Sequence, residues 1–334
     1  MIESDSPLSR ISTPGEWSVH TYFWVCPESP DGARVIYYTI APDLESGQVV
    51  LVDREGRNRR SLGAPHVVRQ TRPMFHTAVR QHWTPDGRPA FFRDGRMEIY
   101  SSEDGPPEVL TPAGHLDPSG NWILGSRAPE SDEMPWRTSD EFCRVHRARA
   151  GTGEEKVLFT EETLWPQYPG SDVARRYRMV FKQVQWFPAG DRIFAVYTNE
   201  EGVGKKPPGF EYLKSLVVAD VDGGNLCYLG EIGHHPSPTP DGRGVLCYDD
   251  ARSVLCEGQE SDGQDLIYFD VETGERRTIQ RRAEGTHPSF SPDGRMIVTD
   301  MLSGGVFLVD PATGAMRRLV AFYVPAFDAP DKKC

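Results

Sequence analysis

The tetrapeptide Ser/Thr-Pro-Asp-Gly occurs four times in this chain, at 29–32, 84–87, 239–242 and 291–294. Two relaxed copies, DPSG at 117–120 and FPAG at 187–190, stand between them. Proline at the second position presets the backbone for a type I turn and glycine at the fourth lets the chain leave it. Each copy is therefore read as a hairpin connection between antiparallel strands. The turn prolines Pro30, Pro85, Pro118, Pro188, Pro240 and Pro292 are spaced by 55, 33, 70, 52 and 52 residues. The 33 and the 70 together are close to two periods, so one short unit precedes one long one.

Every turn is followed by an apolar run, among them ARVIYYTI, DRIFAVYT and RGVLCYDD. A second run ending in Asp before another tight turn comes next, as in GQVVLVDREG, DLIYFDVETG and GGVFLVDPATG. A polar or basic stretch closes the unit: NRRSL, ERRTIQ, MRRLVAF. A unit of four short strands repeating at about 50 residues is the signature of a β-propeller. A sandwich of unrelated hairpins would not space near-identical turns so regularly. The expectation is an all-β chain, residues 1–334 as a single β-propeller domain of four-stranded antiparallel blades, with six blades visible. A further period would place the next turn beyond residue 334. Either the ring has six blades, with EWSVHTYFW from residues 1–24 supplying an outer strand to close it, or a seven-bladed design lacks its last blade here.

The net charge of −12 argues against a nucleic-acid partner, although an acidic oligosaccharide needs only a few well-placed cations. No apolar run approaches the length of a membrane span and the N-terminus has no apolar signal region. The six cysteines form no CxxC pair, which reads as free thiols in a reducing cytoplasm.

Two turns sit inside a longer repeat, GHHPSPTPDG at 233–242 and GTHPSFSPDG at 285–294. Each keeps a histidine at the start of the innermost strand. The same column across the six units reads Val25, Arg80, Ala113, Gln183, His235 and His287. In a propeller these starts surround one mouth of the central channel. Two imidazoles and an amide oxygen are reasonable ligands for a divalent metal, so His235, His287 and Gln183 are the metal candidates. The alternative is that His-Pro merely caps a turn. A second cluster, RPMFHTAVRQHW at 72–83, holds His76, Arg80 and His82. Arg80 suits a carboxylate and either histidine titrates near neutrality; equally, His82 packs beside Trp83. In RRYRMVFKQVQW, Arg175, Arg176, Arg178 and Lys182 form a basic stretch whose default reading is a solvated face, with Lys182 the best placed beside Gln183. His20 and Tyr22 are lesser candidates, and His115 and His146 are read as structural.

The two His-Pro repeats, with the long unit around FKQVQWFPAGDRIFAVYTNE, resemble the oligogalacturonate lyase family and its TolB-like propeller relatives. The likeness spans the whole chain as repeats, but only the His-Pro columns are specific to the lyases. The resemblance implies a seven-bladed propeller that holds a manganese-type ion by several His and a Gln, and cleaves uronate-containing oligosaccharides by β-elimination. Carried over, His235 and His287 match the metal-binding His-Pro pattern. Gln183 stands where a relative presents a His, and in such proteins a further blade opens with another His-Pro. Elimination needs a cation on the uronate carboxylate, a base for the α-proton and a proton for the leaving oxygen. The expected roles are His235, His287 and Gln183 on the metal, Arg80 on the carboxylate, and His76, His82 or Lys182 in proton transfer. Hydrolysis by paired carboxylates finds no acidic pair in the column. The competing class is a non-catalytic TolB-like propeller that binds protein or glycan.

Overall fold

The computed structural model describes residues 11–14, 16–19, 25–41, 46–67, 79–101, 105–111, 114–128, 137, 141–199, 210–249, 264–283, 285, 287–301 and 305–321. Six antiparallel sheets follow one another along the chain, the strands of each paired in sequence order. The first contains β1 (Trp17–Val19), β2 (Arg34–Ile40), β3 (Ser46–Asp53) and β4 (Arg60–Val67); the second β5 (His82–Trp83), β6 (Pro89–Arg93), β7 (Arg96–Ile99) and β8 (Glu108–Leu110). The third has three strands, β9 (Trp122–Arg127), β10 (Arg144–Arg149) and β11 (Glu155–Thr160), and a lone bridge from Leu116 to Ile123 stands where its innermost strand would run. The fourth contains β12 (Val180–Trp186), β13 (Arg192–Thr198), β14 (Lys214–Asp220) and β15 (Cys227–Glu231). The fifth is β16 (His234–Pro238), β17 (Gly244–Tyr248), β18 (Gln264–Asp270) and β19 (Arg276–Ala283), and the sixth β20 (Ser289–Phe290), β21 (Ile297–Met301), β22 (Gly305–Val309) and β23 (Met316–Ala321). The chain is an all-β β-propeller, and among the described residues five of the six sheets have the expected four strands.

One expectation is corrected. Trp17–Val19 pairs with β2, Trp17 opposite Ile40, and Glu28 bridges Val35 on the same side of that strand. The stretch therefore belongs to the inner edge of its own sheet and is not an outer strand for the last one. Pairing with the neighbouring hairpin closes a short loop, whereas pairing with the last sheet would close one almost as long as the chain.

Each Pro-containing turn joins the first and second strands of its unit. The glycine N–H donates to the carbonyl three residues back: Gly32 to Ser29 at 2.8 Å, Gly87 to Thr84 at 2.9 Å, Gly242 to Thr239 at 3.0 Å, Gly294 to Ser291 at 2.8 Å. The aspartate accepts the hydroxyl that opens the turn, as Ser29 to Asp31 at 2.6 Å and Ser291 to Asp293 at 2.7 Å. The glycines lie in the left-handed region, with φ of +69° at Gly32 and +70° at Gly242 and Gly294, which explains why the fourth position admits no side chain readily.

The middle strands carry the core. β17 is buried at every residue and β13 at all but its first, whereas the outermost strands β4 and β19 are largely exposed. By internal packing the described residues divide into two compact units, one within 11–124 and 147–155, the other within 125–146 and 156–321. In the first unit Ile36, Tyr38, Leu51, Leu62, Phe91 and Tyr100 form the seam between the first two sheets. In the second, Phe194, Val196, Leu216, Val245, Cys247 and Ile267 join the fourth sheet to the fifth, and Leu246, Tyr248, Leu266, Ile297 and Val309 join the fifth to the sixth.

The long interval before Pro188 holds an insertion of two one-turn helices, α1 (Glu161–Leu164) and α2 (Ser171–Ala174), around a 3-10 turn at Trp165–Gln167. Its anchor is Glu161, which is 1% exposed. That carboxylate accepts the Tyr197 hydroxyl at 2.9 Å and the Cys143 N–H at 3.1 Å, and pairs with Arg137 at 2.7 Å. Cys26, Cys143, Cys227 and Cys247 are free thiols, and no helix among the described residues is long and apolar enough to cross a membrane.

Candidate functional site

Three members of the predicted column share one unusual backbone state. Arg80, Gln183 and His235 have φ of +50°, +52° and +48°, and each stands five residues before its turn proline. Left-handed backbone costs a non-glycine residue about 1–2 kcal/mol. The cause is a repeated bulge in the innermost strand. Lys182 pairs with Val196 and Gln185 with Phe194, so Gln183 and Val184 together oppose one residue. His234 pairs with Tyr248 and Ser237 with Leu246, which leaves His235 and Pro236 in the same relation. In the second sheet the Phe92 N–H donates to the Val79 carbonyl at 2.7 Å while His82 pairs with Ala90, enclosing Arg80 in the same way. Bulges re-aim side chains, and strain retained in several repeats points to a functional demand.

In the second unit the structure brings His235 and His287 together. Their rings stack with centroids 4.2 Å apart and planes 29° from parallel. Asp300 braces His287 twice, accepting its backbone N–H at 2.9 Å on Oδ1 and approaching ring Nδ1 at 2.7 Å with Oδ2. A carboxylate only accepts, so Nδ1 carries a proton, and in the neutral ring it is Nε2 that presents a lone pair. Such a ring is prepared to ligate a metal or to accept a proton, and carboxylate bracing is the usual support of a metal-binding histidine. Gly285, which opens this repeat, has its own reason: a Cβ there would stand 1.9 Å from the Tyr248 hydroxyl, which bonds Thr299 at 2.8 Å. Gln183 occupies the same bulge in the fourth sheet, and Lys182 precedes it on β12; both are half-buried.

In the first unit Arg80 and His82 lie with Phe92 and His115. The His82 ring meets Phe92 and His115 edge-on, at centroid distances of 5.5 and 4.6 Å, and the exposed Arg80 guanidinium lies 6.0 Å from the Phe92 centroid. His82 is 5% exposed, and its Nδ1 lies 2.9 Å from the Arg80 carbonyl, to which it donates. Burial pulls the His82 pKa down to about 4 and holds His115 well below its usual value too. His82 is thus a neutral side chain that clamps the left-handed backbone of Arg80.

His76, His20 and Tyr22 lie outside the described residues. Arg175 stacks over Trp165 at 4.0 Å and Arg176 pairs with Glu211 at 2.9 Å, so two of the basic cluster serve the insertion and its surroundings. His146 is buried, at 7% exposure. Sequence reading missed Asp300 and Phe92. The first was within reach: Ser289 pairs with Val298 and Phe290 with Ile297, and continuing that register sets Asp300 opposite His287.

An oligogalacturonate lyase in complex with manganese superposes on this chain with a TM-score of 0.63, over 92% of this chain and 79% of that one, at 16% identity. An oligogalacturonate lyase from Vibrio parahaemolyticus gives 0.64, over 96% and 84%, at 14% identity. The β-propeller domain of the Trilobed protease from Pyrococcus furiosus gives 0.53, over 89% and 84%, at 13% identity. No protein-family profile and no curated protein matches the sequence. Likeness at these identities carries the fold: the chain is a β-propeller similar in architecture to the oligogalacturonate lyases.

Proposed function

We propose that this protein is a lyase-like propeller acting on uronate-containing oligosaccharides of the oligogalacturonate type by metal-assisted β-elimination. The observation that carries the reading is the stacked His235–His287 pair with its Asp300 brace. Two imidazoles, with an amide oxygen from Gln183 at the equivalent bulge, are a donor set that fits a divalent transition ion such as manganese, iron or zinc. Among the described residues no group of three His, Cys, Asp or Glu side chains is arranged to hold a metal. One structural neighbour is a lyase bound to manganese, which supports the choice of ion.

When bound, the ion supplies Lewis acidity that makes the proton next to a uronate carboxylate easier to remove. The chain's own groups do the rest. In the first unit, Arg80 is suited to bind a uronate carboxylate by bidentate hydrogen bonding, and His82 holds its backbone. Lys182 is the group that takes the C5 proton; the C4–oxygen bond breaks, a C4–C5 double bond forms, and the departing oxygen takes a proton from solvent. Asp300 holds the His287 ring in the tautomer with its proton on Nδ1.

The test is metal content by plasma mass spectrometry on protein purified without chelator, beside a His235→Ala, His287→Ala double variant, with ultraviolet detection of unsaturated uronate from oligogalacturonate. Stoichiometric manganese, iron or zinc that the variant loses, with product formed only by the loaded protein, is the expected result. Absence of both metal and product in the parent protein overturns the reading in favour of a non-catalytic TolB-like binding propeller.

A further inference from the structure

The outermost strands of the fifth and sixth sheets carry a feature the lyase reading does not use. β19 reads RRTIQRRA and β23 reads MRRLVA; together they hold Arg276, Arg277, Arg281, Arg282, Arg317 and Arg318 and no acidic residue, in a chain with net charge −12. All six are exposed. The two strands adjoin: the Gln280 amide reaches the Met316 sulfur at 3.9 Å, and a Cβ on Gly314 would stand 2.5 Å from the Ile279 carbonyl. Arg276 pairs with Asp249. None of the other five has a carboxylate partner among the described residues, and Arg277 lies over the ring of Tyr268 at 5.5 Å.

Charge on an outer strand ordinarily prevents edge-to-edge pairing, and either sign serves. The other outermost strands carry at most one charge of either sign: β4 Arg60, β8 Glu108, β15 Glu231, and β11 one of each, Glu155 and Lys156. Single-sign arginine concentrated on two adjoining edges asks for more. The backbone gives an independent sign. Gln264 pairs with Ala283 and Leu266 with Gln280, so Arg281 and Arg282, both exposed, together oppose Asp265. Arg282 has φ +52°, while the irregular parts of β4 and β15 place glycines, Gly63 at +65° and Gly230 at +157°. Here arginine occupies a conformation that glycine adopts freely.

We infer that the edge formed by β19 and β23 is a second binding surface, separate from the histidine pair, for an extended polyuronate chain whose successive carboxylates are taken by the arginine forks. The choice of polyanion rests on the lyase reading; the surface itself does not. Guanidinium matches carboxylate bidentately, and all six cations are arginine with no lysine, which favours planar carboxylate recognition over a diffuse field. Tyr268 beside Arg277 offers an aromatic neighbour to a sugar ring.

The experiment is affinity electrophoresis of the full chain through gels containing polygalacturonate, neutral dextran or duplex DNA, at low and high salt. The variants are Arg277→Gln/Arg281→Gln/Arg317→Gln/Arg318→Gln and, separately, Arg282→Gly. The parent protein should be retarded by polygalacturonate only, and less so at high salt. The quadruple variant should bind about tenfold more weakly or worse, the sum of four exposed pairs. Arg282→Gly should also bind more weakly while its thermal midpoint stays level or rises, because glycine relieves the left-handed backbone; a merely structural arginine would move neither binding nor its salt dependence. Turnover of short oligogalacturonates should be unchanged in both. A parent that cleaves short substrate but is not retarded overturns the surface and leaves the lyase reading standing. Retardation through these arginines without any cleavage does the reverse. Retardation by DNA and not by polygalacturonate, or a quadruple variant retained as well as the parent, also overturns the inference.

Discussion

Asp300 and Arg80 show how single residues set the candidate chemistry. Asp300 decides the tautomer of His287 by accepting from Nδ1 at 2.7 Å. Asp300→Asn keeps an oxygen for the backbone N–H and loses the charge, so the affinity for manganese should fall about 10–100-fold with little change in fold. Titration followed by the spin signal of free Mn(II) reads this directly, and an unchanged affinity would remove Asp300 from the site. Arg80 is held at φ +50° by the bulge and by His82 beneath it. Replacing it with glycine releases strain of about 1 kcal/mol while giving the unfolded chain more freedom, so stability should stay within about 0.5 kcal/mol of the parent or rise. Retention of a uronate ligand by the protein should nonetheless weaken. A large drop in unfolding free energy would show that Arg80 is a packing residue instead.

At the scale of the element, the repeated turn explains which glycines matter and how. Gly294 has φ +70° and nothing within 4 Å of an added Cβ, so Gly294→Ala meets only backbone strain. A loss of about 1 kcal/mol is expected. Gly223 combines φ +94° with a Cβ position 2.0 Å from the Leu158 carbonyl oxygen, so Gly223→Ala must push two backbones apart. Its cost should exceed that of Gly294→Ala by at least about 2 kcal/mol, measured by urea unfolding of the pair. Equal losses would mean that the contact between the 220–224 turn and β11 yields freely. The column residues differ from both kinds of glycine, because their left-handed backbone carries a side chain that a bulge aims and a turn would not.

For the molecule as a whole, acid should act in two stages. His82, His115 and His66 all have pKa values lowered by burial from the usual 6.5, His82 to about 4. His66 also accepts the Arg93 Nε–H at 3.1 Å, which requires a neutral ring. Below pH 6.5 the unfolded chain takes up protons on these rings that the folded chain refuses, so stability falls as pH drops from there, by up to about 3 kcal/mol for His82 alone near pH 4. The turn aspartates work in a lower window. Asp31, Asp241 and Asp293 are held below the usual 3.8, first by the Ser29, Thr239 and Ser291 hydroxyls. Their contribution is complete above pH 3.8 and disappears as pH falls toward their folded values. Unfolding free energy followed from neutral to acid pH should therefore show two descending limbs. In His82→Gln the upper limb should be shallower and the lower one intact; a single limb below pH 4 in the parent protein would contradict the buried-histidine account.

The turn tetrapeptides, the strand order within a unit and the column of residues five before each turn proline were all legible in the sequence. They depend on interactions between residues a few positions apart, which a linear text records. Hairpin register extends that reach, and it would have found Asp300 opposite His287. What only the tertiary structure decided involves residues far apart in the chain or states of the backbone that no side chain announces. The first strand joins its own sheet because loop closure favours the nearer partner. The insertion at 161–177 is stabilised by a buried carboxylate whose partners, Cys143, Tyr197 and Arg137, come from separate segments. His82 reads as a titrating group until burial makes it neutral, and His235 and His287, 52 positions apart in the text, become a stacked pair only when the fifth and sixth sheets pack. Local sterics and hydrogen bonds write the repeat; packing and desolvation determine which of its polar residues meet and in what charge state.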